Sequence, residues 1–180
     1  ITVVDHRSGK PVPLTGPLSF EVETGEILGV VGESGSGKTM AALALMRLVP
    51  ATSRVGGQAL LGDIDLVAAS EQQMRRIRGA DIGMIFQEPI SALNPVFTIE
   101  AQIVAAIRAH QKIAKADAYK RAVELLRLVG IPDPESRLKF YPHQLSGGLA
   151  QRAMIAMALA SGAKFLIADE PTTALDVTIQ

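Results

Sequence analysis

Cysteine is absent from the chain. That excludes a disulfide framework and any thiolate metal site. Neither charge is in excess: Lys plus Arg and Asp plus Glu number 18 each. A balanced chain has no global basic field, which argues against nucleic acid as a partner. Long apolar runs are missing too. The run 153–163 is too short to cross a bilayer and fits a buried helix. No signal-peptide pattern opens the chain, and no internal repeat or low-complexity segment is visible. What is there is 180 residues with 48% hydrophobic content, enough for a core. One compact domain with room for an inserted subdomain is the natural expectation. The chain opens on Ile1 and closes on Gln180 inside what reads as a continuing helix, so it is expected to be part of a longer polypeptide.

Residues 32–39 read Gly32-Glu33-Ser34-Gly35-Ser36-Gly37-Lys38-Thr39. They match G-x-x-x-x-G-K-[ST] at every fixed position, the pattern of a phosphate-binding loop. The glycines let the backbone turn so that successive N–H groups point inward. The following helix adds the positive end of its dipole. Lys38 reaches the β- and γ-phosphates, and the Thr39 hydroxyl ligates Mg²⁺. With glycine near 7% of residues, a chance match in a chain of this length is roughly a 1% event. The flanks strengthen the reading. Residues 26–31 (Glu-Ile-Leu-Gly-Val-Val) read as a buried strand and 40–48 as an apolar helix.

The remaining elements follow from pattern. Residues 1–22 are short, β-branched and broken by Gly and Pro, which predicts small antiparallel strands. Thr24-Gly25 is a turn, and Gly56-Gly57 and Gly62-Asp63 punctuate two more short strands. Residues 70–78 form a short helix with Ser70 and Gln73 in capping-box register. Residues 81–86 are a second core strand. Helices are predicted near 99–110 and 115–129, from apolar residues at three- and four-residue spacing, with Gly130 closing the second. Pro132, Pro134 and Pro142 mark an irregular connection. Ser146 caps a third helix to about 161, and 164–168 is a third core strand, apolar throughout as a strand buried on both faces should be. Strands joined by helical crossovers predict an α/β domain with a largely parallel sheet. The expected division is a phosphate-binding core with a β subdomain over 1–87 and 163–180, and an inserted helical subdomain over 88–162.

Further candidates lie at strand and helix ends. The third core strand ends in Asp169-Glu170-Pro171. An acid at the carboxyl end of a parallel strand faces the ligand crevice of an α/β sheet. Asp169 can hold Mg²⁺ through water, and Glu170 can orient an attacking water. Alone, this pair reads as an ordinary solvated turn; beside a phosphate-binding loop it becomes a site. Leu145-Ser146-Gly147-Gly148 opens the third helix, and a serine cap with two glycines leaves N–H groups free for an anion. Gln87 follows a strand and can ligate Mg²⁺ or hold water, although a lone Gln is usually a loop residue. Asp176 reads by itself as a surface acid.

In this order the motifs resemble the nucleotide-binding domain of an ABC transporter. Residues 32–39 match the Walker A segment, Gln87 the Q-loop glutamine, and 145–152 (Leu-Ser-Gly-Gly-Leu-Ala-Gln-Arg) the signature motif. Residues 165–169 match Walker B, with Glu170 at the catalytic glutamate and 173–176 at the D-loop. The stretches 84–99, 141–144 and 167–180 are similar to ATPases of importers for dipeptides, oligopeptides, glutathione and nickel. The resemblance implies a P-loop NTPase core, an antiparallel β subdomain and an inserted helical subdomain. It implies ATP and Mg²⁺ as cofactors, and catalytic roles for Glu170, Lys38 and Gln87. Gly32 to Thr39 and Ser146 to Gly148 would bind nucleotide, and Thr39, Gln87 and Asp169 would bind the metal.

The implied partners are a second ABC ATPase domain, identical or not, transmembrane permease subunits and, indirectly, a solute-binding protein. The implied location is the cytoplasmic face of the membrane. The chain departs from the family's pattern at Leu149, where glutamine is commonest, and at Ala150, where a basic residue is common. His6 is a rough substitute for the usual adenine-stacking aromatic. The switch histidine falls beyond Gln180, so the isolated chain is expected to turn ATP over weakly or not at all. The alternatives left open are a soluble, non-transport ABC-type ATPase, a nucleotide-binding regulatory module without turnover, and a P-loop kinase.

Overall fold

The computed structural model describes residues 2–4, 11–13 and 15–172. The expected D-loop at 173–176 and His6 lie outside the described residues. The chain separates into two compact units, 1–75 and 76–180.

The first unit carries strands β1 (Thr2–Val4), β2 (Pro11–Pro13), β3 (Ser53–Arg54), β4 (Leu60–Leu61) and β5 (Ile64–Asp65). β1 lies between β2 and β3, antiparallel to both, and β4 pairs antiparallel with β5. The Gly-punctuated stretches thus form the small antiparallel strands their sequence predicts. Helix α1 spans Lys38–Leu45. Helix α2 (Glu71–Ile77) begins in this unit. Its capping box forms in both directions: Ser70 N donates to Gln73 Oε1 at 2.8 Å, and Gln73 N donates to Ser70 Oγ at 3.3 Å.

One expectation fails here. Residues 26–31 form no strand, and Ile27 and Val31 are each 96% exposed. The physical reason is pairing. A buried parallel strand needs a ladder neighbour to satisfy its N–H and C=O groups. The described strands of this unit pair only among themselves. An apolar run records a capacity for burial, and the partner strand must come from elsewhere. The turn before it does form, with Gly25 at φ +84°.

The second unit is built on one parallel pair, β6 (Ile82–Ile85) and β7 (Phe165–Ala168), in register from Ile82 opposite Phe165 to Ile85 opposite Ala168. Between them run α3 (Pro89–Ala92), α4 (Ile99–His110), α5 (Lys115–Leu128), α6 (Pro134–Arg137) and α7 (Gly147–Ala160). The two short helices α3 and α6 start at prolines, whose fixed φ suits the first helical position; the sequence predicts an irregular connection around α6 and assigns no element to 89–92. β6 is buried along its length, as expected. β7 is not: Leu166 and Ala168 are exposed. Among the described residues β7 pairs with β6 alone, so its apolar continuity is used on one side only. Helix α7 packs on β6 at Gly83, where an added Cβ would sit 3.2 Å from the Ala158 carbonyl oxygen.

The core of this unit is helical. α4 contributes Ile99, Ile103 and Ile107 from one face, α5 contributes Ala122, Leu125 and Leu126, and α7 contributes Ala150, Ala153 and Ala156. Spacings of three and four residues put each set on one stripe. Arg152 ties α7 to the end of α5, its Nη1 donating to the Val129 carbonyl oxygen at 2.6 Å. Leu126 is fully buried. We expect Leu126→Ala to destabilise the protein by about 2–5 kcal/mol, the usual range for emptying such a site, read as a lowered midpoint in urea unfolding.

Candidate functional site

The glycine loop of the first unit folds as a tight turn. Ser36 N donates to the Glu33 carbonyl oxygen at 3.2 Å. Gly35 and Gly37 have φ of +80° and +95°, values that a side chain would strain. Gly37 is the N-cap of α1, so Lys38 and Thr39 are the helix's first residues. The helix therefore starts inside the motif, two residues earlier than its apolar pattern indicates. The first N–H groups of a helix have no intrahelical acceptor, and they sit at the positive end of its dipole. Lys38 Nζ curls back over the loop and donates to the carbonyl oxygens of Gly32 at 2.7 Å and Glu33 at 2.9 Å. A lysine held by two carbonyl oxygens keeps its ammonium beside the loop's amides. That is where a phosphate would meet both.

The second unit holds the other candidates. Asp169 is buried, and its N–H donates to the Ile85 carbonyl oxygen at 3.0 Å, continuing the β6–β7 ladder one residue beyond the strand. The next residue leaves the sheet: Glu170 turns into the left-handed region, with φ +46°. Its carboxylate is exposed and accepts a hydrogen bond from Gln87 Nε2 at 2.8 Å. Gln87 follows β6, so the parallel register brings two residues 83 positions apart to one sheet end. Sequence reasoning proposed both residues but not this bond, which needs the register to be known.

Ser146 caps α7 with its hydroxyl, accepting from Leu149 N at 3.4 Å. Ser146 and Gly147 are exposed and Gly148 is half-buried. The helix end is thus open, as its sequence predicts, and Leu149 and Ala150 leave that geometry intact.

Gln151 was given no role of its own by the sequence reading. It is fully buried, and its Nε2 donates to the Pro171 carbonyl oxygen at 2.8 Å. Its signal was present: apart from Arg152, it is the one polar residue in the apolar body of α7. Gln102 was missed as well. It clasps the loop before α4, its Oε1 accepting from Asn94 N at 2.8 Å and its Nε2 donating to the Asn94 and Phe97 carbonyl oxygens, each at 3.0 Å. On that loop Val96 and Phe97 are exposed, and so is Ile90 on α3.

The metal question turns on donor type. Among the described residues no three His, Cys, Asp or Glu side chains cluster as a dedicated cage. Mg²⁺ seldom uses one. It keeps several waters and takes one or two protein oxygens together with substrate phosphates. Thr39 in the first unit, and Asp169 and Gln87 in the second, are oxygen donors of that kind.

Comparison with known proteins agrees with the motif order. A family model described as ABC transporter matches residues 15–173. The dipeptide transport ATP-binding protein of Escherichia coli is 54% identical over 164 residues, covering 91% of this chain and 50% of that protein. The oligopeptide transport ATP-binding protein of Bacillus subtilis is 53% identical over 165 residues, covering 91% and 46%. The glutathione import ATP-binding protein of Salmonella choleraesuis is 50% identical over 187 residues, covering 100% and 30%. The chain thus spans about half the length, or less, of these relatives. Among solved structures, a dimeric ATP-binding cassette in a post-hydrolysis state bound to ADP and Pi superposes with a TM-score of 0.85 at 25% identity, covering 99% of this chain and 75% of that one. On the family match and on this level of identity, the chain belongs to the ABC transporter family.

Proposed function

We infer that this chain is the ATP-binding and ATP-hydrolysing part of an importer for peptides or a related small solute. The observation that carries the reading is the strand end of the second unit, where Gln87 holds the Glu170 carboxylate beside the buried Asp169. The names of relatives at 50–54% identity favour import over a soluble, non-transport ABC-type ATPase.

The roles follow from the chemistry of each group. The amides of Gly32 to Thr39, including those of Glu33, Ser34, Gly35, Ser36 and Gly37, cradle the β- and γ-phosphates. Lys38 exchanges its two carbonyl contacts for phosphate oxygens and stabilises the charge that spreads over them in phosphoryl transfer. Glu170 accepts a hydrogen bond from the attacking water and aligns it with the γ-phosphorus. Gln87 keeps that carboxylate at the strand end. Thr39, Asp169 and Gln87 would hold Mg²⁺, which when bound neutralises phosphate charge. Ser146, Gly147 and Gly148 present a second anion site at the start of α7. We assign Ser146 to the nucleotide of a second ABC ATPase domain, identical or not. A dimeric solved relative supports that assignment.

The exposed Ile90, Val96 and Phe97 provide an apolar docking surface for a transmembrane permease, with Gln102 fixing the loop. We place the helical insertion at 88–162 and the whole assembly at the cytoplasmic face of the membrane, with a solute-binding protein as the indirect partner. Among the described residues no helix is long and apolar enough to cross a membrane.

Three outcomes test this. Lys38→Ala should weaken ATP binding by about 10- to 100-fold, the loss expected of charge-assisted hydrogen bonds worth about 1.5–3 kcal/mol. Equilibrium binding of a fluorescent ATP analogue to the full-length protein checks it, and unchanged affinity removes Lys38 from the site. Glu170→Gln should bind ATP normally and hydrolyse it at least about 100-fold more slowly; phosphate release by the assembled transporter measures this, and wild-type turnover would place the base elsewhere. Phe97→Glu should abolish co-purification with the membrane subunits while ATP binding stays intact. Retention of the complex would move the docking surface off this loop.

A further inference from the structure

Glu170 occupies a backbone conformation its residue type does not favour. The left-handed region costs a side-chain-bearing residue roughly 1–2 kcal/mol, and a following proline restricts the choice further. Asp133 also precedes a proline at positive φ, but a short aspartate tolerates that region. Glutamate has no such excuse, so neighbouring contacts must hold the bend. Two are present, and both come from glutamines. Gln87 grips the carboxylate, and Gln151 grips the backbone one residue on, at the Pro171 carbonyl oxygen.

Gln151 is a costly choice for packing alone. Among the described residues it and Asp169 are the buried polar or charged side chains. Its Oε1 is buried with no hydrogen-bond partner among the described residues. An amide oxygen in that state costs about 1–3 kcal/mol. Methionine or leucine would fill a similar volume without burying an amide oxygen. What hydrocarbon cannot supply is the donor to Pro171. The same helix begins at Ser146, five residues earlier, so the bond ties the Glu170 bend to α7 as well as to the sheet.

We propose that Gln151 is a positioning residue for ATP hydrolysis: by holding the Pro171 carbonyl it fixes the left-handed bend from which Glu170 presents its carboxylate to water. This rests on the reading of Glu170 as the group that aligns water. Gln151 touches no reacting atom, and it acts on the rate through geometry. Misplacing a catalytic group by about 1 Å lowers rates up to about 100-fold.

The test uses the full-length protein in its assembled transporter, with rates divided by the number of sites that bind a fluorescent ATP analogue, so that unfolded protein does not count. Gln151→Met should lower kcat by about 10- to 100-fold, with ATP affinity within about twofold and Tm within about 4 °C of wild type. Single-turnover hydrolysis in the Glu170→Gln background should then show no further loss on adding Gln151→Met, because the group being positioned is already gone. Wild-type kcat in Gln151→Met, or a full independent loss in the double variant, overturns the proposal. Gln151→Leu serves as the second variant if the first does not fold; loss of fold in both would make Gln151 a packing residue and overturn it as well. The two levels separate cleanly. Fast turnover by Glu170→Gln alone would sink the reading of the site and this inference with it, whereas a slow Glu170→Gln beside a fast Gln151→Met would sink the inference only.

Discussion

Alanine at 150, 153, 156 and 160 keeps one face of α7 nearly flat, and the second unit depends on that flatness. Helix axes approach to about 8–10 Å according to the side chains between them. Small residues let α4 and α5 close on the same helix, and on the sheet side Gly83 leaves room for the Ala158 carbonyl. The large side chains that fill the core, Ile103, Ile107, Leu125 and Leu126, come from the surrounding helices. Bulk on this face of α7 would push α4 and α5 away from it.

This arrangement gives one helix two tasks. Its first residues form an exposed, serine-capped helix end, and its second turn reaches a carbonyl beside the β7 end. Arg152 adds a third anchor at the end of α5. Gln151 and Arg152 join α7 to the turn after β7 and to the end of α5. The sheet and the helices of this unit are therefore linked at one element.

What was legible in the sequence follows the range of the physics involved. Local signals read well. The Ser70–Gln73 capping box, the Ser146 cap, α4 over Ile99–His110 and the glycine loop around Gly35 and Gly37 all depend on residues within four positions of one another. Pairing and burial read poorly, because they depend on partners far along the chain. Residues 26–31 have the composition of a buried strand, yet among the described residues no strand of their unit pairs with them. Leu166 and Ala168 belong to an apolar run and remain exposed. The Gln87–Glu170 bond could not be inferred from either residue, since it exists only through the parallel register of β6 and β7. Gln151 lay between these cases: its placement in an apolar helix was visible, and its partner was not.

The left-handed bend at Glu170 also sets two properties against each other. Glycine adopts that conformation without a Cβ penalty, so relaxing the bend at 170 would return about a kilocalorie per mole or less, after its own loss of chain entropy. The carboxylate would vanish with the strain. With Glu170 in the proposed role, a selection for heat resistance alone would drift toward an inert cassette, one that melts later and no longer fires.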